Sequence, residues 1–412
     1  MTTPDVTISL ADRDLYLDPH PLLHHVRAHD PVHWSSDLGG WLLLRYSDVR
    51  QALQDPRLAP TAMSRRIDRY PPGEQATIAE LRRLVGQWMG LPTIEDHERY
   101  ATLLRPHFTA RAVAAQAHCL TAHADGLLDV IARQGQGDIV AGFAVPYTMG
   151  AVLRLCGLPQ SPSVAADVAG WVTDLSEVFH LSDLEGLQRA QLAVQEMSAF
   201  LREAIAARRR DPRDDLTGVL LGGLRSGLIR DESEIIAALV MVLAVGYKTA
   251  SNVIANGAYL LLANPGQLAL LRGDPSRCRP AVEEIIRFDG PVFMTTRVAR
   301  EALELGGRDV AAGDLVLLCL AAANRDPAKF TRPDEFLVGR SPNPHLGFGA
   351  GMYACLGAQL ARAECVIALQ RILHRLPGLE LAGPPGWYEF PPLARWLDQL
   401  PVRCPAALGA RA

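Results

Sequence analysis

Cys355 lies among close-set glycines in Phe348-Gly349-Ala350-Gly351-Met352-Tyr353-Ala354-Cys355-Leu356-Gly357, just ahead of a helical pattern beginning at Ala358. Glycines let a backbone approach a flat group, and a helix N-terminus with nearby N–H groups stabilises a thiolate. A thiolate held this way can ligate iron and push electron density onto it, favouring O–O cleavage. Taken in isolation, the loop fits a buried, inert cysteine better, so spacing elsewhere has to decide. Glu284 and Arg287 sit one helical turn apart and can pair, although a lone pair of this kind is usually a surface ion pair of little consequence. The other cysteines, at 119, 156, 278, 319, 365 and 404, form no CxxC pair and read as small hydrophobes.

The elements that must position these residues belong to a chain of 412 residues, 49% hydrophobic and 21% charged, enough apolar mass for a large core. Its 41 basic and 45 acidic residues leave a net charge of −4, so no basic excess points to nucleic acid or an anionic membrane. Lys248 and Lys329 are the only lysines; the remaining basic residues are arginine, the codon bias of a GC-rich genome. The N-terminus carries Asp5, Asp12, Arg13 and Asp14 rather than a basic-then-apolar leader, and the longest apolar run, 235–245, is short for a bilayer. A soluble, reducing, cytoplasmic setting is expected.

No repeat or flexible linker divides the chain, so one domain over 1–412 is expected. Strand signals at 32–34 and 41–44 flank Gly39-Gly40 and predict a hairpin. The polar stretch 59–93 reads as a long functional loop, and 97–210 as mostly helical, with breaks near 135, 157–162 and 181–182. A long helix is expected over 231–263, opened by Asp231 and Glu234 in a capping-box pattern. Short strands such as 315–320 follow, then the glycine loop, a last helix and closing strands. The fold class is mainly α with small β-sheets.

The cysteine loop resembles that of the cytochrome P-450 family, and the rest of the chain agrees in order and spacing. Glu284-Ile285-Ile286-Arg287 matches the family's Glu-x-x-Arg helix, with Arg287 lying 68 residues before Cys355. Thr295-Thr296-Arg297, the Ala322–Pro327 run and Pro342-Asn343-Pro344-His345 also read like soluble bacterial members. The resemblance implies the family fold, with haem b between the long central helix and the cysteine loop with the last helix. It implies Cys355 as the axial iron ligand, Arg297 and His97 at the haem propionates, and Phe348, Gly349 and Gly357 around the cofactor. The Glu284–Arg287 pair takes a structural role, with Arg340 as a substitute third partner because Glu335 stands where an arginine is often found.

This chain also departs from the family pattern. Tyr353 fills a propionate-contacting position usually held by histidine or arginine, and Ala101 stands where a second arginine of the His97 helix is expected. In Val245-Gly246-Tyr247-Lys248-Thr249 the oxygen-groove glycine and threonine are kept, but Lys248 replaces the proton-delivering acid and Val245 is bulkier than usual. The resemblance places Met241, Ala244, Val245 and Thr249 in the substrate pocket. It adds Val292, Phe293 and Thr295, Phe390-Pro391-Pro392-Leu393, and Trp88 and Met89. This mostly apolar set suits a medium-sized neutral natural product, such as a polyketide or an aromatic cyclic peptide. The implied enzyme is a monomeric monooxygenase using dioxygen and electrons from a ferredoxin and its reductase. The alternative is an oxidase that couples or cyclises an aromatic substrate without inserting oxygen.

Overall fold

The computed structural model describes residues 18–60, 67–68, 70–88, 93–179, 183–388 and 395–404. Its contacts divide the chain into two compact units, one made of Met1–Ala59, Ala117–Ala144 and Thr249–Ala412, the other of Pro60–Gln116 and Val145–Lys248.

The first unit is built on a five-stranded sheet of β1 (Val32–Ser35), β2 (Gly40–Leu43), β3 (Leu58–Ala59), β4 (Met294–Ala299) and β5 (Leu315–Cys319). The order is β1-β2-β5-β4-β3, with β2 and β5 parallel and the other pairs antiparallel. The expected hairpin is β1–β2, and Gly39 takes a left-handed φ of 61° at its turn. An added Cβ on Gly40 would lie 2.7 Å from the Leu315 carbonyl oxygen, so the β2–β5 approach requires glycine. Successive residues of β2 and β5 serve opposite faces, as a period of two demands. Leu43, Val316 and Leu318 enter one core cluster with Tyr46, Val49 and Phe330, whereas Leu42, Leu317 and Cys319 enter another with Leu23, Val26 and Phe293.

Three helices of this unit carry the chemistry: Lys248–Ala263 (from Thr249 on), Cys278–Asp289 and Ala358–Arg375. Cys278–Asp289 presents Glu284 inward. Arg287 Nε and Nη2 donate to the two Glu284 oxygens at 2.7 and 2.9 Å, and both side chains are fully buried. Arg340 Nε adds 3.0 Å contacts to the same carboxylate, with the Leu337 N–H at 2.9 Å and Asn343 Nδ2 at 3.2 Å. Arg340 therefore occupies the third position. Arg287 spends its remaining donors on the carbonyls of Asn324, Pro333 and Glu335.

The second unit is helical among the described residues apart from short 3-10 turns. The stretch read as a loop over 59–93 contains helices Pro72–Thr77 and Ala79–Gly86, because Leu81, Leu84 and Val85 form a buried apolar stripe behind the polar residues. Helix breaks fall where expected after Gln134 and Cys156, while 181–182 lies outside the described residues. Asp231 caps the next helix by accepting the Glu234 N–H at 3.2 Å. The long helix is interrupted at Tyr247, giving Glu232–Gly246 and Lys248–Ala263. By length and composition 232–263 is apolar enough to cross a membrane, unlike the expectation from 235–245 alone, but 67% of its most apolar window is buried inside the protein.

Replacing Glu284 by glutamine leaves two buried guanidinium groups without their carboxylate. Glu284→Gln is expected to lower unfolding free energy by about 3–5 kcal/mol, read from urea unfolding against the parent protein.

Candidate functional site

Gly349 and Gly351, with φ of 71° and 73°, turn the chain ahead of Cys355 in conformations that L side chains rarely adopt. At Gly351 crowding adds to the requirement, since a Cβ would lie 2.9 Å from the Leu53 carbonyl oxygen at the end of helix Tyr46–Gln54. The turn closes through Cys355 N–H to Phe348 O at 2.8 Å and Gly349 N–H to Leu346 O at 2.8 Å. Gly357 caps helix Ala358–Arg375, and the nearest atom to a Cβ built there is the Cys355 sulfur, at 4.0 Å.

Cys355 has an exposed surface, whereas Cys156, Cys278, Cys319, Cys365 and Cys404 are buried. Cys119 is exposed, so it is not the buried hydrophobe expected from the sequence; it lies on helix Ala117–Gln134 outside that helix's buried set. Although accessible, the Cys355 sulfur is surrounded by protein mass. That desolvation raises the thiol pKa, opposed by the Gly357 N–H and the Arg362 charge. The groups that favour a thiolate are in place; the low-dielectric surroundings resist it.

The base of this loop is pinned by a carboxylate that the sequence reading did not single out. Glu283 accepts from Arg362 Nε at 2.7 Å and Nη2 at 3.1 Å, and from His345 Nε2 at 2.9 Å. The Gly347 N–H donates to His345 Nδ1 at 3.1 Å, which fixes the imidazole proton on Nε2. The Arg362 guanidinium lies 4.3 Å from the Phe348 ring centroid. Burial alone would raise the Glu283 pKa, but His345 and Arg362 more than offset it and hold it at about 2.

Arg297, on β4, is a cation with unused capacity. Its side chain is buried, Nη1 donates to Thr296 O at 2.8 Å and Thr295 Oγ1 at 3.3 Å, and Nε is buried without an acceptor among the described residues. No carboxylate pairs with it among the described residues, and desolvation pulls its pKa down to about 10. Tyr353 faces it, with the guanidinium carbon 5.7 Å from the ring centroid. A buried, incompletely bonded guanidinium is stable only with an anion. This donor set, beside an accessible cysteine on a helix cap, fits a haem: a thiolate site for the iron and a cationic site for a propionate carboxylate.

Other candidates have other settings. Phe293 sits in the core cluster on one face of the sheet and Val292 packs against the other, while Thr295 is half-buried on β4. Thr249 is half-buried in the first turn of its helix. In the second unit, His97 and Lys248 are half-buried, Ala244 is buried, Met241 is half-buried, Val245 is 38% exposed, and Trp88 is 1% exposed. Gly246 has a packing role as well, since its Cβ would lie 2.9 Å from Val152 Cγ2. Ala101 is buried. The His97 helix, Ile94–Leu104, is tied to Glu232–Gly246 by Arg99, which contacts both Glu234 oxygens at 2.8 Å and Asp96 at 2.9 Å. Met89 and Phe390–Leu393 lie outside the described residues.

Glu283 supplies a pH dependence whose sign follows from its depressed pKa. Its stabilising contribution is complete above the unfolded carboxyl's value, about 4.3, and is lost as pH falls toward 2. The stability difference between the parent and Glu283→Gln is expected to be constant from pH 7 to 5 and to shrink below pH 4, measured by urea unfolding at each pH.

The family model described as Cytochrome P450 matches residues 279–377, which span the Glu284 helix, the cysteine loop and the last helix. Cytochrome P450 107B1 of Saccharopolyspora erythraea is 35% identical over 98% of this chain and 99% of its own. The 6-deoxyerythronolide B hydroxylase of the same organism is 33% identical over 98% and 99%. The crystal structure of CalO2 superposes with a TM-score of 0.89 at 32% identity, covering 97% of this chain and 99% of that one. With its cysteine loop, buried Glu-x-x-Arg pair and matching relatives along nearly its whole length, the chain belongs to the cytochrome P450 family and is an oxidoreductase of the monooxygenase type.

Proposed function

We propose that the protein is a haem b monooxygenase that hydroxylates or epoxidises a medium-sized, mostly neutral natural product in bacterial secondary metabolism. The observation that carries this reading is the exposed Cys355, two residues ahead of the Gly357 helix cap and supported by the Gly357 N–H and the Arg362 cation. A hydroxylase among the relatives supports oxygen insertion, and their match to the chain from end to end supports one functional domain. The remaining partners, by family resemblance, are dioxygen and a ferredoxin with its reductase, serving a cytoplasmic monomer.

When bound, haem supplies dioxygen activation and the oxidation of an unactivated carbon. The chain's own residues do the rest. Cys355 binds the iron as thiolate. Arg297 binds a propionate through donors its own neighbours leave unused, and the resemblance assigns His97, Phe348, Gly349, Gly357 and Tyr353 to the same cofactor. Thr249 orients oxygen by its hydroxyl, next to the backbone interruption at Tyr247. Lys248, in place of the usual acid, stays protonated in water and is a poorer proton shuttle than a carboxylic acid.

Turnover under isotopically labelled dioxygen, with a surrogate ferredoxin system and candidate substrates, tests the reading. Label in the product is expected; a coupled or cyclised product without label would replace it with the oxidase alternative. Cys355→Ala is expected to abolish the red-shifted carbonyl band of the reduced protein. Arg297→Ala removes one charge-assisted contact worth roughly 1.5–3 kcal/mol and is expected to speed haem transfer to an apo-acceptor by about ten- to a hundredfold. Lys248→Glu is expected to raise product yield per electron and lower peroxide release; unchanged values in Lys248→Glu and Lys248→Ala would make Lys248 a bystander.

A further inference from the structure

The cysteine loop begins and ends on one carboxylate. His345, before the loop, and Arg362, in the first helical turns after it, both donate to Glu283. The two carboxylates at 283 and 284 divide the work between them. Among the described residues Glu284 takes Arg287, Arg340, the Leu337 N–H and Asn343, whereas Glu283 takes the two residues that bracket Cys355. The His345 side chain is only 3% exposed, and its Nδ1 accepts the Gly347 N–H, which leaves Nε2 as the donor to Glu283. Arg362, 4.3 Å from the Phe348 ring centroid and bonded twice to Glu283, is a cation held in one place. It is tied to the cysteine through Phe348, whose carbonyl accepts the Cys355 N–H at 2.8 Å.

We propose that Glu283 is the positioning residue for the cysteine ligand: it fixes Arg362 beside the loop and balances its charge, and so sets how strongly the sulfur donates to the iron. Arg362 lowers the electron density on the sulfur; Glu283 limits that effect by neutralising it. The inference rests on Cys355 as the iron ligand and goes beyond that assignment by naming the charge pair that tunes it.

A purely structural clamp and a charge pair make different demands on variants. In the holoenzyme, Glu283→Gln keeps the shape and deletes the negative charge, leaving Arg362 uncompensated. The ferric/ferrous midpoint potential is then expected to rise, because net positive charge near the iron favours the reduced form. Arg362→Gln leaves Glu283 uncompensated, and the potential is expected to fall, with a larger share of the reduced carbonyl complex losing its red-shifted band. The double variant is expected to return close to the parent, and Arg362→Lys to stay closer to the parent than Arg362→Gln. Spectroelectrochemical titration of the substrate-free holoenzymes gives all four values.

Shifts of the same sign in the two single glutamine variants, or no shift in either, would overturn the proposal in favour of a passive clamp. Should Glu283→Gln fail to load haem, the two Arg362 variants decide: equal potentials for lysine and glutamine overturn it. A parent protein without the red-shifted carbonyl band would overturn the ligand assignment itself, and the inference with it; a parent with the band and variants without opposite shifts overturns the inference alone.

Discussion

The Glu284 carboxylate is the constraint on which the proximal part of this structure depends. A carboxylate taken fully out of water costs several kcal/mol unless every lone pair is bonded, and here two arginines, an asparagine and a backbone N–H converge on it. That convergence is long-range: residues 284, 287, 337, 340 and 343 can meet only if the segment before the cysteine loop folds back over helix Cys278–Asp289. The register of everything from Asn324 to His345 is therefore set by satisfying one buried charge. Its neighbour Glu283, about 100° further around the helix, applies the same logic to the loop itself.

Arginine is the residue that makes this possible. Arg287 has five N–H donors in a fixed fork and uses all five, two on Glu284 and three on the carbonyls of Asn324, Pro333 and Glu335. Arg340 likewise reaches Glu284 and the carbonyls of Thr331, Arg332 and Glu335. A lysine at either position would offer three donors on one nitrogen and could not bridge separate chain segments. A composition almost free of lysine thus has a structural use here, whatever its genomic origin.

The sequence made the local features legible. The β1–β2 hairpin, the Asp231 cap, the helix stops after Gln134 and Cys156, and the pairing of Glu284 with Arg287 all depend on residues within a few positions of one another. Arg340 as third partner was legible because a family position was missing its arginine. What stayed hidden depends on separations that no periodicity encodes. Glu283 with His345 and Arg362 spans 62 and 79 residues, and Arg99 with Glu234 spans 135. The polarity of 59–93 concealed two helices because Pro72–Thr77 buries no residue and Ala79–Gly86 only three. Phe293, which the resemblance assigns to the pocket, is buried beside Met294 in the cluster with Leu23, Leu42 and Leu317, a packing that no local pattern announces.

Against the two saturated arginines, Arg297 stands out by contrast. Arg287 and Arg297 are buried, at 1% and 4% exposure, and the Arg340 side chain is 7% exposed, but of the three only Arg297 lacks a carboxylate among the described residues and leaves Nε without an acceptor. Desolvation has nothing opposing it beyond two weak oxygen acceptors and an aromatic face, and its pKa falls to about 10. A carboxylate from outside the chain would supply the partner that the described residues do not. The arginines that gather on Glu284 are satisfied by the chain, whereas Arg297 keeps an unmet Nε donor.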